Sequence, residues 1–206
     1  MQGQELLPNG EPYVITPRRY FTPEEYLLLE RRSEYKSEHY DGEIFAMSGA
    51  SEPHNVIAPN IVSSLHTQFR NRSCRVYPSD MRVNVQPGRH YAYPGVVAVC
   101  GEPRFQEEYK DRLVNPTVIG EVLSPSTEAY ARGDKDLRYR QLASPQEYLL
   151  VSQTTPHIEH YVRQPDSQWL LTEASAVTAT MSLPSIDCTL ALAEVYEKVE
   201  CEQNLE

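Results

Sequence analysis

One glutamate, Glu121, interrupts the otherwise apolar run TVIGEVL at residues 117–123. In strand alternation Ile119, Glu121 and Leu123 share one face, and Val118, Gly120 and Val122 share the other. A carboxylate in such a strand costs free energy unless it is paired, hydrogen-bonded or bound to a cation. Glu121 is therefore the first candidate for chemistry, with a satisfied core carboxylate as the bland alternative. Lys135 lies downstream between Asp134 and Asp136 and, taken alone, reads as part of a solvated charge run. Brought back over the strand end by a tight turn, its ammonium would stabilise charge developing on a phosphate and help orient an attacking water. Glu38 could point into the same cleft or stand exposed on an edge strand. Asp80 is either a turn residue or a further acidic ligand. His54 opens a helical pattern and is a weaker candidate. His157 and His160 are three apart, a spacing that suits a helix better than the strand expected there, which argues against a metal pair. The chain has no GxSxG, no Gly-rich phosphate loop and no HExxH, so serine-hydrolase, nucleotide-triphosphatase and zincin chemistries drop away.

Several elements must position these residues. Thr22-Pro23-Glu24-Glu25 carries a cap, a proline at the first helical position and a capping-box glutamate, predicting a helix over about residues 23–33. Asp41-Gly42 is a strong hairpin signal, predicting strands over about residues 36–40 and 43–47. Val56, Ile57, Ile61, Val62, Leu65 and Phe69 recur at helical spacing between Pro53 and Arg72, with Pro59 expected to kink or delay that helix. Strands are expected over 74–77, 81–85, 91–99 and 117–123, with the charged stretch GEPRFQEEYKDRLVN between the last two read as a solvent loop. A helix over about 128–142 follows, with Gly133 weakening its first turn. Strands over 147–152, 157–163, 169–173 and 176–181 and a closing helix over 190–198 complete the pattern. The order argues for one α/β domain on a mixed sheet.

The chain has 206 residues, enough for one sizeable core, with 40 % apolar residues. Lys plus Arg number 19 against 29 Asp plus Glu, a formal charge of −10, which disfavours a general nucleic-acid coating role. A local basic cleft remains open, and Arg70, Arg72, Arg75, Arg132, Arg138 and Arg140 could line one face. The four cysteines (Cys74, Cys100, Cys188, Cys201) show no CxxC or finger spacing and read as reduced thiols of a cytoplasmic protein. No segment has the apolar length of a membrane span. Residues 1–20 read as an arm and 21–199 as the domain.

The segments EHYDGEIFAMSGASEPHN, YPSDMRVNV, YAYPGVVAVC and GEVLSPSTEAYARGDKDLRYRQLASPQEYLLV together resemble the Uma-type bacterial restriction-endonuclease family, a former domain of unknown function with the PD-(D/E)XK nuclease fold. The resemblance runs from about Tyr20 to Tyr196 and is most specific in EVLSPST followed by a Lys and a Tyr in a helix. It implies a mixed β-sheet flanked by helices and assigns catalytic positions to Glu38, Glu121 and Lys135. Metal ligands would be Glu121 and Asp80, and Tyr139 fits one turn beyond Lys135. One position departs: where the family has Tyr-Pro-Asp, this chain reads Tyr93-Pro94-Gly95, so the aspartate that would bridge the metal is missing.

The resemblance thus implies a metal-dependent DNA endonuclease using Mg²⁺ or Mn²⁺, weakly bound because Gly95 offers no ligand, and a possible homodimer. The alternatives are a non-catalytic member that binds DNA or protein, and a plain structural domain. Glu38, Asp80, Glu121 and Lys135 are expected to converge in one cleft.

Overall fold

The computed structural model describes residues 19–106, 109–125 and 128–201, so nearly all of the arm expected over 1–20 lies outside the described residues. Helix α1 (Pro23–Glu30) starts on the expected capping box, with Thr22 Oγ1 accepting from Glu25 N and the Glu25 carboxylate accepting from Thr22 N. Strands β1 (Ser37–Tyr40) and β2 (Glu43–Ala46) form a hairpin. Its turn uses left-handed φ at both Asp41 (47°) and Gly42 (87°). Helix α2 (Glu52–Gln68) buries Ile57, Ala58, Ile61 and Leu65. Pro59 sits inside this helix but on its exposed side, where solvent can satisfy the carbonyl it deprives of a donor.

Strands β3 (Cys74–Pro78), β4 (Arg82–Gln86), β5 (His90–Ala92), β6 (Val96–Cys100), β7 (Arg112–Leu113) and β8 (Val118–Leu123) follow. The single strand expected over 91–99 is two strands in different sheets. Pro94 has no N–H to continue a ladder, and the Tyr93-Pro94-Gly95 bend carries the chain from one sheet to the other. The charged loop expected after residue 100 is pinned at β7, which pairs in parallel with β4 and buries Arg112 and Leu113.

After β8 comes one helical stretch in three parts: α3 (Glu128–Tyr130), a π-helical stretch Ala131–Lys135, and α4 (Asp136–Gln141). Strands β9 (Glu147–Ser152), β10 (Ile158–Arg163), β11 (Trp169–Ala174), β12 (Thr180–Leu183) and β13 (Cys188–Ala191) lead to the short helix α5 (Leu192–Val195). The closing helix expected over 190–198 is shortened to α5, because residues 190 and 191 belong to the β12–β13 hairpin, whose register pairs Met181 with Leu190.

One sheet has the order β2-β1-β5-β4-β7 and the larger one β11-β10-β9-β8-β6-β3. Strand β8 runs parallel to β9 and antiparallel to β6, and every one of its residues is buried. Its two faces feed different cores. Val118 and Val122 pack with α2, while Ile119 and Leu123 pack with Val83, Tyr139 and Tyr148. Alternation therefore turns Glu121 toward the helical stretch that crosses from β8 to β9. This is a mixed α/β fold in which helices flank mixed sheets.

The thiol expectation is corrected. Cys74 and Cys100 face each other across the β3–β6 ladder and are joined as a disulfide, whereas Cys188 and Cys201 are free. Twenty-six residues separate the pair in sequence, so no local spacing signals it; the antiparallel register creates it. No helix among the described residues is long and apolar enough to cross a membrane.

Candidate active site

Glu121 is buried on β8, and Lys135 is buried at the end of the π-helical stretch. A π turn holds one residue more than an α turn needs, which reorients the residues after it. Here it leaves Lys135 and Tyr139, four apart, both directed at the sheet. Lys135 Nζ lies 2.9 Å from Glu121 Oε1 and 3.0 Å from Glu38 Oε1. The Tyr139 hydroxyl donates to Glu121 Oε1 at 2.9 Å. Glu38, buried on β1, also accepts from the backbone N–H of Tyr93 at 3.2 Å. Two carboxylates from different sheets thus close on one ammonium carried by the crossover.

Tyr93 is itself locked from the far side. Its hydroxyl accepts from Arg82 Nε and Nη2 at 2.9 and 2.6 Å and donates to Glu30 Oε1 at 2.9 Å. This buried network fixes the bend between the sheets and with it the N–H that holds Glu38. Treating residues 91–99 as one strand hid that role, because a strand N–H at position 93 would have been spent on a ladder.

The charges explain one another. Burial works against the Lys135 ammonium, but Glu121 and Glu38 beside it outweigh that cost and raise its pKa above the ordinary lysine value. Burial raises the Glu121 pKa, opposed by Lys135 and reinforced by the Glu38 charge. The group carries two acids against one base. Among the described residues, neither Oε2 atom receives a hydrogen bond. Two converging carboxylates, each with an oxygen left over, fit a hard divalent cation, which needs oxygen ligands and tolerates waters in the remaining positions.

Gly95 lies directly beside this group. A Cβ built there would sit 3.9 Å from Glu121 Cα and 3.3 Å from the Gly120 carbonyl oxygen. A side chain at this position would therefore emerge next to Glu121, at the cost of a slight shift between strands. Asp80 does not join the group: its carboxylate is 81 % exposed and pairs with Lys36 Nζ at 2.8 Å. The turn after β3 presents Asp80 to solvent, where the nearby lysine takes it up.

His54, in the first turn of α2, hydrogen-bonds the backbone of Val122, and burial with the Lys36 and Lys135 charges holds its pKa below the ordinary value. It is thus a neutral neighbour of the site. His157 and His160 are separate, the first bonding Ser175 and the second Glu147. His157, Glu159 and Glu173 place donor atoms within 4.8 Å of one another, but Arg132 already pairs with Glu159. Several of the six arginines named from the sequence are engaged within the molecule. Arg72 bonds the carbonyls of Ile186 and Asp187, Arg132 pairs with Glu128 and Glu159, and Arg140 pairs with Asp136.

The profile of the Uma2 family, described as "Putative restriction endonuclease", matches residues 23–193. The chain belongs to the Uma2 family. Two relatives from Synechocystis sp. (strain ATCC 27184 / PCC 6803 / Kazusa) are the uncharacterized proteins sll1609 and slr1290. The first is 36 % identical over 160 residues, covering 78 % of this chain and 90 % of the relative. The second is 35 % identical over 175 residues, covering 85 % and 90 %. Among solved structures, a "putative nuclease belonging to DUF820" from Anabaena variabilis ATCC 29413 superposes with a TM-score of 0.70 at 19 % identity. The match covers 87 % of this Uma2 chain and 99 % of that one, and at this identity it speaks for the shared fold.

Proposed function

We propose that this Uma2 protein is a divalent-metal-dependent endonuclease that hydrolyses DNA phosphodiester bonds at Glu38, Glu121 and Lys135. One observation carries the reading: a buried lysine contacts two buried glutamates from separate sheets, at 2.9 and 3.0 Å, and each glutamate keeps an oxygen unbonded among the described residues. Family membership supports nuclease chemistry and DNA as the substrate. Mg²⁺ or Mn²⁺ held by Glu121 and Glu38 would act as a Lewis acid on the phosphate and acidify a bound water. Lys135 would neutralise charge developing on the non-bridging phosphate oxygens. The Tyr139 hydroxyl fixes which way the Glu121 carboxylate faces, and the Tyr93 N–H does the same for Glu38. Asp80, bound to Lys36 at the surface, has no part in this assignment.

Gly95 supports a second reading, a DNA-binding member with impaired cleavage. Two carboxylates already shared with a lysine bind a dication more weakly than a set completed by an aspartate. The test is plasmid nicking with Mg²⁺ or Mn²⁺ by the natural chain, by Gly95→Asp, and by Gly95→Asp carrying Lys135→Ala. We expect slow nicking by the natural chain, faster nicking by Gly95→Asp, and none by the double variant. Absence of nicking by both natural chain and Gly95→Asp, with DNA binding intact, would establish the impaired reading.

A further inference from the structure

We infer that the substrate strand enters this site with its bases unstacked, as single-stranded or frayed DNA, and that those bases stack on Phe45 and Tyr130 at the mouth. The inference rests on the nuclease reading above and specifies its substrate.

The hairpin register places Phe45 directly opposite Glu38. Directly opposed residues share a face, with Cβ atoms about 5 Å apart, so the ring stands beside the buried carboxylate. Phe45 is nevertheless 48 % exposed, whereas Phe69 is buried and Phe21 and Phe105 are half-buried. Strand β2 is the edge of its sheet, and among the described residues no further strand lies beyond it. An exposed phenyl ring next to a polar site offers a flat apolar face on which a base can stack.

Tyr130 is also exposed, at 38 %, although Tyr20, Tyr35 and Tyr109 are more so, and its phenol feels the Glu38 and Lys135 charges. It is braced by Arg138, whose Nη1 donates to the Tyr130 hydroxyl at 3.1 Å. The Arg138 guanidinium lies 3.4 Å from the centroid of the Tyr40 ring. Tyr40 shares its face of β1 with Glu38, so Arg138 ties the braced tyrosine to the face of the hairpin that carries Glu38 and Phe45. Lys36, two residues before Glu38, adds a cation whose present partner is the exposed Asp80 at 2.8 Å. A surface pair of that kind is worth little and yields readily to a phosphate.

Charge decides between substrate forms. With a formal charge of −10 and Arg72, Arg132 and Arg140 engaged within the molecule, phosphate attraction alone is a poor source of affinity. Base–aromatic stacking supplies affinity without net charge and tolerates any sequence. Intact duplex hides its base faces in the stack, so Phe45 and Tyr130 find partners only on unpaired bases.

The experiment is fluorescence anisotropy of a labelled single-stranded oligonucleotide, its duplex and the same-sequence RNA, in Ca²⁺. The natural chain is compared with Phe45→Ala, Phe45→Trp and Tyr130→Ala, each with its melting temperature. We expect single-stranded DNA to bind at least about tenfold tighter than duplex. Phe45→Ala should lose about five- to hundredfold on the single strand alone, and Phe45→Trp should restore it. A 2-aminopurine base near the label should lose fluorescence on binding the natural chain but not Phe45→Ala. Duplex or RNA binding as tight as the single strand, or an equal loss on every form, would overturn the inference while leaving the nuclease reading intact. Absence of binding to any nucleic acid would overturn both.

Discussion

Replacing Lys135 with Met removes the one positive charge that the buried acids share while keeping most of the side-chain volume. Both Oε1 atoms lie within 3.0 Å of Nζ. Without the ammonium they become like charges about 5 Å apart, repelling by about 3 kcal/mol at an effective dielectric near 20. Breaking a buried pair by removing one partner costs about 3–5 kcal/mol in all. The sign with pH follows from the acids. In the natural chain the raised Lys135 pKa gives stability that is complete below the ordinary lysine value and lost only as pH rises through the folded value. In the variant the carboxylate pKa values rise on folding, so the deficit is small below the ordinary carboxylate value of about 4 and grows as pH climbs through the folded values. Urea unfolding at pH 4 and pH 7.5 should therefore show the variant close to the natural chain at the lower pH and about 3–5 kcal/mol weaker at the higher. Mg²⁺ at pH 7.5 should recover part of that loss by binding the folded state. A deficit of equal size at both pH values would refute the reasoning, because it would place the cost in packing and not in charge.

Glu121→Gln keeps the shape and removes one of two acids held by one base, so stability should fall by less than about 1 kcal/mol while Mg²⁺ binding by calorimetry disappears. Because burial already raises the Glu121 pKa, this variant should also flatten the decline in stability as pH rises through the carboxylate range; an unchanged profile would contradict the assignment. Tyr139→Phe removes the hydroxyl that donates to buried Glu121 and should cost about 1–3 kcal/mol in urea unfolding, with the larger cost at neutral pH. Thiol titration of the denatured, unreduced chain should count two reactive cysteines, Cys188 and Cys201; a count of four would show that Cys74 and Cys100 are not joined.

Glu121 was legible because period-two alternation makes a charge in TVIGEVL an anomaly on its own. Lys135 was not legible by itself. Between two aspartates it looks solvated, and the π turn that directs it inward has no local sequence signature beyond the flexible Gly133. Asp80 looked as plausible as Glu38 on residue type, and only the turn geometry separates them. The Cys74–Cys100 bond and strand β7 depend on register between distant segments, which no window of sequence contains. Phe45 is different. Once Asp41-Gly42 is accepted as the turn, positions 38 and 45 must face each other, so the exposed ring beside the carboxylate could have been found by counting outward from the hairpin.

The π-helical stretch Ala131–Lys135 makes the site sensitive to the length of the chain as well as to its side chains. Each residue of an α-helix turns the next by about 100°. Deleting Gly133, whose surroundings are open to 4 Å, would let the stretch relax into a regular helix and swing Lys135 and Tyr139 off their common bearing relative to one end of the helix. The loss of one codon could thus dismantle the ion cluster while leaving Glu38, Glu121, Lys135 and Tyr139 all present in the sequence. Homologues could therefore keep the full residue set and lack the site, and alignments that score identities without gaps would not distinguish them.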